Sequence, residues 1–542
     1  MVKTIISLVL LFLSVTLHSQ AVNYSYFYRI TFSDKGSAKV SDYAPHQLLS
    51  EKAIERRIRT GIPVLEYSDL PVNSEYLKKI SESGLTLHCT SKWMNSALFK
   101  SSYPVDTETI SATYFVKDVK IVRKPGAKGP QGDKLSFRIE NSPVYEYDRP
   151  ITMLNGYALH DQGFKGSGVL IAVLDGGFDN SEEITSLEGL RNRDGIITTH
   201  DFVRGKQEVY GYSTHGTAVL SILAGSVPWV IEGTAKESDY LLLITEDPST
   251  EYPCEEDYWA AGAEYADSAG ADIINSSLGY STFDDPSMNH LFSDLDGDKT
   301  FITEASDIAA HKGIIVVNSA GNERNKVWKR IICPADGDSV IAVGAVDGEN
   351  VISSFSSAGP SYDRRIKPDV VAMGVAIPLQ VSNTSIGTSN GTSFSCPVIS
   401  GMTACLLQAV PEAKNSDIIR VLKESSDRYL SPDSLYGYGI PDMGKALLRL
   451  QDLFIPVPSS VSVAGPNPTT GEFEIIFKEP YESLVTEIYT STGKLIWKHM
   501  TDHFAGRSVK INALNNYPQG LYIVRIKTSS DTMTHKIIKV KE

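Results

Sequence analysis

Three polar side chains occupy positions where buried strands are predicted to end or buried helices to begin. Asp175 follows the apolar run Val169–Leu174, while His215 and Ser393 each open a segment with helical spacing. A serine hydroxyl becomes a strong nucleophile when an imidazole takes its proton, and a buried carboxylate holds that imidazole in the required tautomer. These residue types therefore predict acyl-transfer chemistry by a triad of Asp175, His215 and Ser393.

A fourth polar group comes from Asn322, which ends the run Val317–Asn322 where another buried strand is predicted to stop. Its amide can donate a hydrogen bond to the oxygen that becomes negative in a tetrahedral intermediate. Each of the four motifs is common by itself in turns and helix starts. Their joint occurrence, in the order Asp, His, Asn, Ser, indicates a catalytic site with Asn322 in the oxyanion hole.

The elements that must position these residues follow an α/β pattern between residues 150 and 450. Short apolar runs alternate there with segments of helical spacing, which predicts a mostly parallel sheet flanked by helices. The predicted strands are Val169–Leu174, Tyr240–Ile244, Asp272–Asn275, Ile314–Val317 and Val340–Val346. In such sheets the reactive groups gather at the carboxyl ends of the strands, where Asp175 and Asn322 stand.

Several motifs resemble those of the subtilisin-like serine peptidases, or subtilases. They are His215-Gly-Thr, Ser319-Ala-Gly-Asn322, Gly391-Thr-Ser-Phe-Ser-Cys-Pro397 and Ile273-Ile-Asn-Ser-Ser-Leu-Gly279, and the order Asp, His, Ser is also that of the family. The resemblance covers about residues 150–450. It implies a subtilisin-like fold and a secreted serine endopeptidase that hydrolyses peptide bonds through an acyl-enzyme intermediate, with no cofactor required for catalysis.

The same resemblance implies the substrate-binding residues and an extended protein or peptide substrate. One wall of the cleft would consist of Ser277, Leu278 and Gly279, and the other of Ser319, Ala320 and Gly321. The sequence departs from the family pattern at one residue and at one three-residue segment. Gly176 stands where subtilases usually have Ser or Thr, and Phe394-Ser-Cys396 replaces the usual Met-Ala-Ser or Met-Ala-Thr; neither change removes a catalytic group.

Flanking segments predict a precursor with several parts. Residues 1–19 combine Lys3 with the apolar run Ile5–Leu17, as in a secretory signal peptide, with cleavage after Ser19 or Ala21 fitting equally well. A membrane anchor is disfavoured because the run is shorter than the ~20 residues that span a bilayer.

Residues 22–122 predict a small α+β domain that resembles a protease propeptide, and so an inhibitor of its own enzyme; a permanent accessory domain is the alternative. Residues 123–149 are expected to be a linker and processing region. Its stretch Arg123–Lys134 is rich in Gly, Pro and Lys and predicts exposed chain open to proteolysis.

Beyond the predicted catalytic domain, a proline-spaced linker (451–460) leads to residues 461–542, whose strand alternation predicts a small all-β sandwich. The segments Pro466–Gly471, Ile488–Lys494 and Gly520–Arg525 resemble those of type IX secretion sorting domains. This resemblance implies a secretion machinery as partner, and export to the medium or to the outer-membrane surface of a Gram-negative bacterium.

Composition excludes some functions and leaves others open. The 542 residues carry a formal net charge of −14, which argues against nucleic acid as a partner. Of the five cysteines, Cys396 and Cys405 fall on one predicted buried helix, which leaves Cys254 and Cys333 as candidates for a disulfide.

Asp294, Asp296 and Asp298 alternate as in the start of a calcium loop. However, the glycine and the glutamate expected later in such a loop are replaced by Lys299 and Ala305. A solvated acidic loop is therefore favoured over a structural calcium site.

Two other functions compete with that of a peptidase, and the sequence disfavours both. A catalytically inactive binding protein would lack at least one catalytic side chain, whereas all four are present. A serine esterase would usually carry Gly-x-Ser-x-Gly and the order Ser, Asp, His. Here the serine comes last, within Gly391–Ser395.

Overall fold

The computed structural model describes residues 26–125, 133–140, 147–454, 462–477, 483–502, 508–528 and 532–541. The predicted signal peptide lies outside these ranges, as do residues 126–132 and 141–146 of the predicted processing region and residues 455–460 of the second linker. Among the described residues, no helix has both the length and the apolar character needed to span a bilayer.

A small α+β domain comes first, as predicted. Its elements are β1 (Tyr26–Phe32), α1 (Glu51–Thr60), α2 (Ser74–Ser81), β2 (Thr86–Ser91), β3 (Ser96–Ser101), α3 (Thr107–Ser111) and β4 (Val116–Arg123). The strands form an antiparallel sheet in the order β2-β3-β1-β4. Ser50 and Asn73 begin α1 and α2 by accepting backbone N–H groups of the first helical turn.

The second and largest domain alternates strands and helices. Its elements are α4 (Arg149–Thr152), α5 (Tyr157–His160), β5 (Leu170–Asp175), α6 (Glu188–Asn192), β6 (Ile196–Asp201), α7 (His215–Ala224), β7 (Ser226–Val227), β8 (Ile231–Glu232), β9 (Asp239–Ile244), α8 (Cys254–Ala269), β10 (Ile273–Ser276), α9 (Phe301–His311), β11 (Ile315–Ser319), β12 (Val340–Val346), β13 (Val370–Met373), β14 (Ile377–Ser382), β15 (Ser385–Ser389), α10 (Thr392–Ala409), α11 (Asn415–Ser425) and α12 (Met443–Phe454). Helix α12 extends four residues into the predicted linker.

Seven of these strands form a parallel sheet in the order β13-β12-β11-β10-β5-β9-β6. Alternate residues of β5 face opposite sides. Ile171 and Val173 pack in the core that contains α7 and α10, whereas Leu170 and Leu174 pack in the core that contains α8 and α9. Burial on both faces explains why the sequences of these strands are unbroken apolar runs. The strand order places β5, β10 and β11 side by side at the centre of the sheet.

The first domain packs on α8 through charged and apolar contacts. Arg29 of β1 donates to both carboxylate oxygens of Asp257, at 2.8 and 2.9 Å from Nε, and it also contacts Glu256. Arg57 of α1 bridges Asp69 and Asp267. All these side chains are buried, so the acidic face of α8 is neutralised by cations of the first domain.

The C-terminal part has two antiparallel sheets, which confirms the predicted all-β unit. Its strands are β16 (Ser462–Ala464), β17 (Phe473–Ile476), β18 (Ser483–Thr490), β19 (Leu495–Asp502), β20 (Ser508–Ile511), β21 (Gly520–Thr528) and β22 (Thr532–Lys539). The sheet orders are β16-β17-β20 and β19-β18-β21-β22. Ile475 and Ile511 of the first sheet share one core with Ile488 and Val524 of the second.

Candidate active site

Asp175 is the last residue of β5 and is fully buried at the carboxyl end of the sheet. Its Oδ1 accepts the N–H of Gly176 at 2.7 Å, which fixes the carboxylate at the strand end. His215 is the first residue of α7, and its Nδ1 lies 2.9 and 3.0 Å from the two oxygens of Asp175. The structure thus brings together two predicted site residues that are 40 positions apart in the chain.

The close approach of α7 to the strand end depends on Gly216. Its N–H donates to the carbonyl of Gly177 at 3.0 Å, and a Cβ at this position would lie 2.5 Å from the same oxygen. Burial lowers the pKa of His215 because it disfavours the charged imidazole. The charge and the hydrogen bond of the Asp175 carboxylate act in the opposite direction, and the pKa of His215 is raised above its ordinary value. The pair is therefore suited to accept and hold a proton.

Ser393 is the second residue of α10 and is largely buried, with 9% of its surface exposed. Its hydroxyl donates a hydrogen bond to the carbonyl of Ser277 at 3.2 Å. The rings of His215 and Phe394 are 5.7 Å apart, so the histidine lies beside the first turn of α10.

Asn322 faces the same groove as Ser393, and its orientation is fixed by Thr392. Its Oδ1 accepts the backbone N–H of Thr392 at 2.9 Å and the hydroxyl of Thr392 at 3.0 Å. Because a backbone N–H can only donate, Oδ1 must be the atom that faces Thr392, and Nδ2 is left to donate elsewhere. Both Asn322 and Ser393 line a groove of about 430 Å³.

Five of the six predicted wall residues line this groove. They are Ser277, Leu278, Gly279, Ser319 and Gly321. Gly321 has a φ of +102°, and a Cβ there would lie 2.9 Å from Ser357 Oγ, so the turn after β11 requires glycine. Ala320 departs from the prediction: it is fully buried and packs with Leu295 and Ile331 below the wall.

Residues 133–140 lie along the groove that Ser393 lines, a placement that the sequence analysis did not predict. The ring of Phe137 stands edge-on to His215 at 5.8 Å and to Phe394 at 5.1 Å. Further along, Glu140 pairs with Thr388 through two backbone hydrogen bonds of 2.8 and 3.0 Å. A Cβ at Gly176 would collide with Leu135, so the departure from the usual Ser or Thr makes room for this segment.

The prediction of an exposed linker through Lys134 is wrong at its end. The Lys134 side chain is 9% exposed because its ammonium group lies among Glu246, Glu251 and Glu255, at 2.6, 2.7 and 2.6 Å. One sequence signal could have indicated a docked segment. Leu135, Phe137 and Ile139 are apolar at alternate positions, as in a short strand.

The candidate disulfide between Cys254 and Cys333 is not formed, because both thiols are free. Cys254 packs in a cluster with Phe27 and Tyr258, whereas the thiol of Cys333 contacts the carbonyl of Tyr280 in a different core. Cys396 and Cys405 are fully buried on α10, as small apolar residues would be.

The acidic residues at 294–298 do not fit a calcium site. Asp294 accepts the N–H of Leu291, and Asp296 pairs with the ammonium of Lys299 at 2.5 Å. Asp298 is exposed. The ammonium of Lys299 thus neutralises one of the three carboxylates, that of Asp296, and the solvated acidic loop stays a prediction.

Comparisons with known proteins match three parts of the chain to family models. Residues 166–439 match the subtilase family, residues 27–134 a peptidase S8 propeptide domain of Bacteroidota, and residues 465–541 a secretion system C-terminal sorting domain.

Curated relatives include subtilisin amylosacchariticus of Bacillus subtilis subsp. amylosacchariticus, which is 30% identical over 365 residues, 67% of this chain and 83% of the relative. Subtilisin E of Bacillus subtilis (strain 168) is 29% identical over the same shares. Among solved structures, fervidolysin from Fervidobacterium pennivorans, a keratinolytic enzyme related to subtilisin, matches with a TM-score of 0.53 at 17% identity, over 95% of this chain and 76% of that one. This last likeness shows the fold.

Proposed function

The chain belongs to the subtilase family and is a serine-type endopeptidase, and on that premise we propose that Asp175, His215 and Ser393 are its catalytic triad. The observation that carries the proposal is the 2.9 Å contact between His215 Nδ1 and Asp175, made beside the first turn of the helix that holds Ser393. Acyl transfer in this family requires no cofactor.

Each residue has one part in the proposed reaction. The hydroxyl of Ser393 attacks the peptide carbonyl while His215 Nε2 takes its proton, and Asp175 holds the proton on Nδ1 and stabilises the imidazolium. His215 then returns the proton to the leaving amine, which frees the C-terminal product. Water, activated by the same histidine, attacks the acyl-enzyme and releases the N-terminal product.

Charge that develops on the carbonyl oxygen needs donors that are already in place. We assign these to Nδ2 of Asn322 and to the backbone N–H of Ser393, which lies in the first turn of α10, where N–H groups have no helical partner. The two groups line one groove. The contact of Asn322 with Thr392 supports this assignment, because it leaves Nδ2 free to donate.

Substrates are proposed to bind as extended chain between the two walls. The segment Ser277–Gly279 follows β10, and the segment Ser319–Gly321 begins at the last residue of β11; both contribute residues to the groove that Ser393 lines. In such strand addition the substrate backbone provides the affinity, and the pockets along the groove determine which side chains are preferred.

We further propose that the chain is a precursor with residues 1–19 as signal peptide, 22–122 as an inhibitory propeptide and 123–149 as the processing region. The catalytic domain would span 150–450, followed by a linker (451–460) and a sorting domain (461–542). The sorting-domain match indicates export through a type IX secretion system. Recognition of the domain by that machinery, and release or retention at the outer-membrane surface, are part of the proposal.

The test is the intact mass of the purified chain without its signal peptide, wild type beside Ser393→Ala. The wild type is expected to lose its N-terminal domain, whereas Ser393→Ala is expected to stay whole and folded. Processing and peptide hydrolysis that persist in Ser393→Ala would refute the triad. If neither protein is processed, hydrolysis of an unfolded protein substrate by the precursor cut in the 123–149 region with trypsin decides the question.

A further inference from the structure

A second charged cluster adjoins the active-site groove and takes no part in the triad. It consists of Glu246, two residues beyond the end of β9, Glu251 in the loop that follows, and Glu255 in the first turn of α8. The side chains of Glu246 and Glu255 are 3% and 0% exposed. Three carboxylates are thus gathered at one point, which is called the acidic pocket below.

The acidic pocket holds one cation, the ammonium of Lys134, at 2.6 to 2.7 Å from an oxygen of each glutamate. Lys134 also donates to the carbonyl of Thr250. It does not belong to any element that forms the pocket. It is the last residue of the part that matches a peptidase propeptide, so the cation comes from the segment proposed for processing.

The acidic pocket and the nucleophile open into the same groove. Glu246, Glu251 and Lys134 line the cavity of about 430 Å³ that Ser393 also lines. From Lys134 the segment passes Leu135 beside Gly176 and Phe137 beside His215. A peptide that follows this path places its cation on the N-terminal side of the groove centre.

Charge in the acidic pocket is not balanced by Lys134 alone. Burial raises the pKa of Glu251 to about 7, although the ammonium of Lys134 lowers it. Burial and the neighbouring Glu246 likewise raise the pKa of Glu255 well above its ordinary value. Buried carboxylates in excess of their cation are costly, and the cost grows once a segment that carries the cation has left.

We propose that Glu246, Glu251 and Glu255 form a subsite that binds a lysine or arginine side chain of the polypeptide substrate, and that Lys134 occupies this subsite in the precursor. The inference rests on the proposed peptidase function and names its substrate class: chains with a basic residue on the N-terminal side of the cut bond. The ammonium of Lys134 has three donors and four oxygens around it, one from each glutamate and the carbonyl of Thr250, so every donor is engaged in the acidic pocket.

The experiment uses processed enzyme and pairs of fluorogenic peptides that differ at one position, Lys in one and Gln in the other, scanned over the four positions before the cut. At one position the kcat/KM for Lys is expected to exceed that for Gln by about 10- to 100-fold, as loss of charged hydrogen bonds of this kind implies. Glu251→Gln and Glu255→Gln should reduce that ratio at least about tenfold and leave the Gln peptide unaffected.

Glu323→Gln is the matched control. Glu323 lines the same groove but pairs with Lys326 at 2.9 Å, so its variant should keep the full preference for Lys. If a single glutamine variant does not mature, the double variant with Lys134→Gln removes one charge of each sign and is tested after processing by wild-type enzyme.

The outcomes separate this inference from the proposed function. Equal turnover of Lys and Gln peptides at all four positions overturns the basic subsite and leaves the peptidase intact. Binding of Ca²⁺ that is lost in Glu251→Gln, together with equal turnover, assigns the acidic pocket to a cation and overturns it as well. Hydrolysis that survives Ser393→Ala contradicts the proposed function instead.

Discussion

Replacing Asn322 by Ala isolates one hydrogen bond of the proposed reaction. The side chain is held by Thr392, whose backbone N–H and hydroxyl lie 2.9 and 3.0 Å from Oδ1, so that Nδ2 is oriented before substrate arrives. The acceptor of Nδ2 carries full negative charge only in the transition state. Truncation should therefore lower kcat and leave KM nearly unchanged.

The expected loss is about 10²–10³ in kcat, or about 2.7–4 kcal/mol, the value found for the corresponding donor in a subtilisin. Removing only one of the two hydrogen bonds that orient Asn322 should lower kcat by a smaller factor. Thr392→Val deletes the hydroxyl that donates to Asn322 and keeps the backbone N–H, so we expect about a fivefold loss, equivalent to about 1 kcal/mol.

Both variants are assayed with processed enzyme and a peptide substrate at saturating concentration, beside Asn390→Ala. Asn390 is exposed and accepts the N–H of Ala376, so its truncation should leave kcat unchanged. Matching thermal midpoints establish that the fold is kept. A loss of less than about threefold in Asn322→Ala, or a loss confined to KM, contradicts the assigned role.

Three further outcomes are expected from the structure. In the Ser393→Ala precursor, Arg29→Met leaves Asp257 buried and unpaired, which should lower the free energy of unfolding by about 3–5 kcal/mol at neutral pH in denaturant titrations, and by less where acid protonates the carboxylate. Alkylation of the unfolded, unreduced protein should modify five thiols, with Cys333 among them, and dithiothreitol should not shift the melting midpoint. Because the pKa of His215 is raised, kcat/KM should increase with pH through a midpoint above 6.5; a midpoint below that value argues against the Asp175 contact in the working enzyme.

The central strands and the residues of the proposed triad could be identified from the sequence because each stands in a short local pattern. A strand buried on both faces must be apolar at every position, and Leu170–Leu174 meets that requirement. By contrast, β6 (Ile196–Asp201) lies at the sheet edge, where half-exposed Thr198 and Thr199 interrupt the apolar pattern. A search for unbroken apolar runs therefore misses this strand, although its β-branched residues Ile196–Thr199 favour a strand and it pairs with β9.

The burial of Lys134 could not be predicted, for a different reason. The glycine, proline and lysine before them are typical of exposed chain, and a lone lysine is usually solvated. Lys134 is buried only because three glutamates, at least 112 positions away in the chain, meet at one point. Only the folded chain brings these glutamates to Lys134, and the sequence around Lys134 does not indicate it.

Helix α8 takes part both in the acidic pocket and in the contact with the first domain. Glu255 faces the acidic pocket and Lys134, whereas Glu256 and Asp257 face Arg29 of the first domain. Successive residues of a helix point about 100° apart, so one turn carries both contacts. Removal of the chain through Lys134 would withdraw the cations of both Arg29 and Lys134 from this turn at once. The buried carboxylates of α8 then favour rebinding of the cut propeptide. At the groove they favour instead a basic side chain of the substrate. The same acidic residues would therefore affect both release of the inhibitor and choice of substrate.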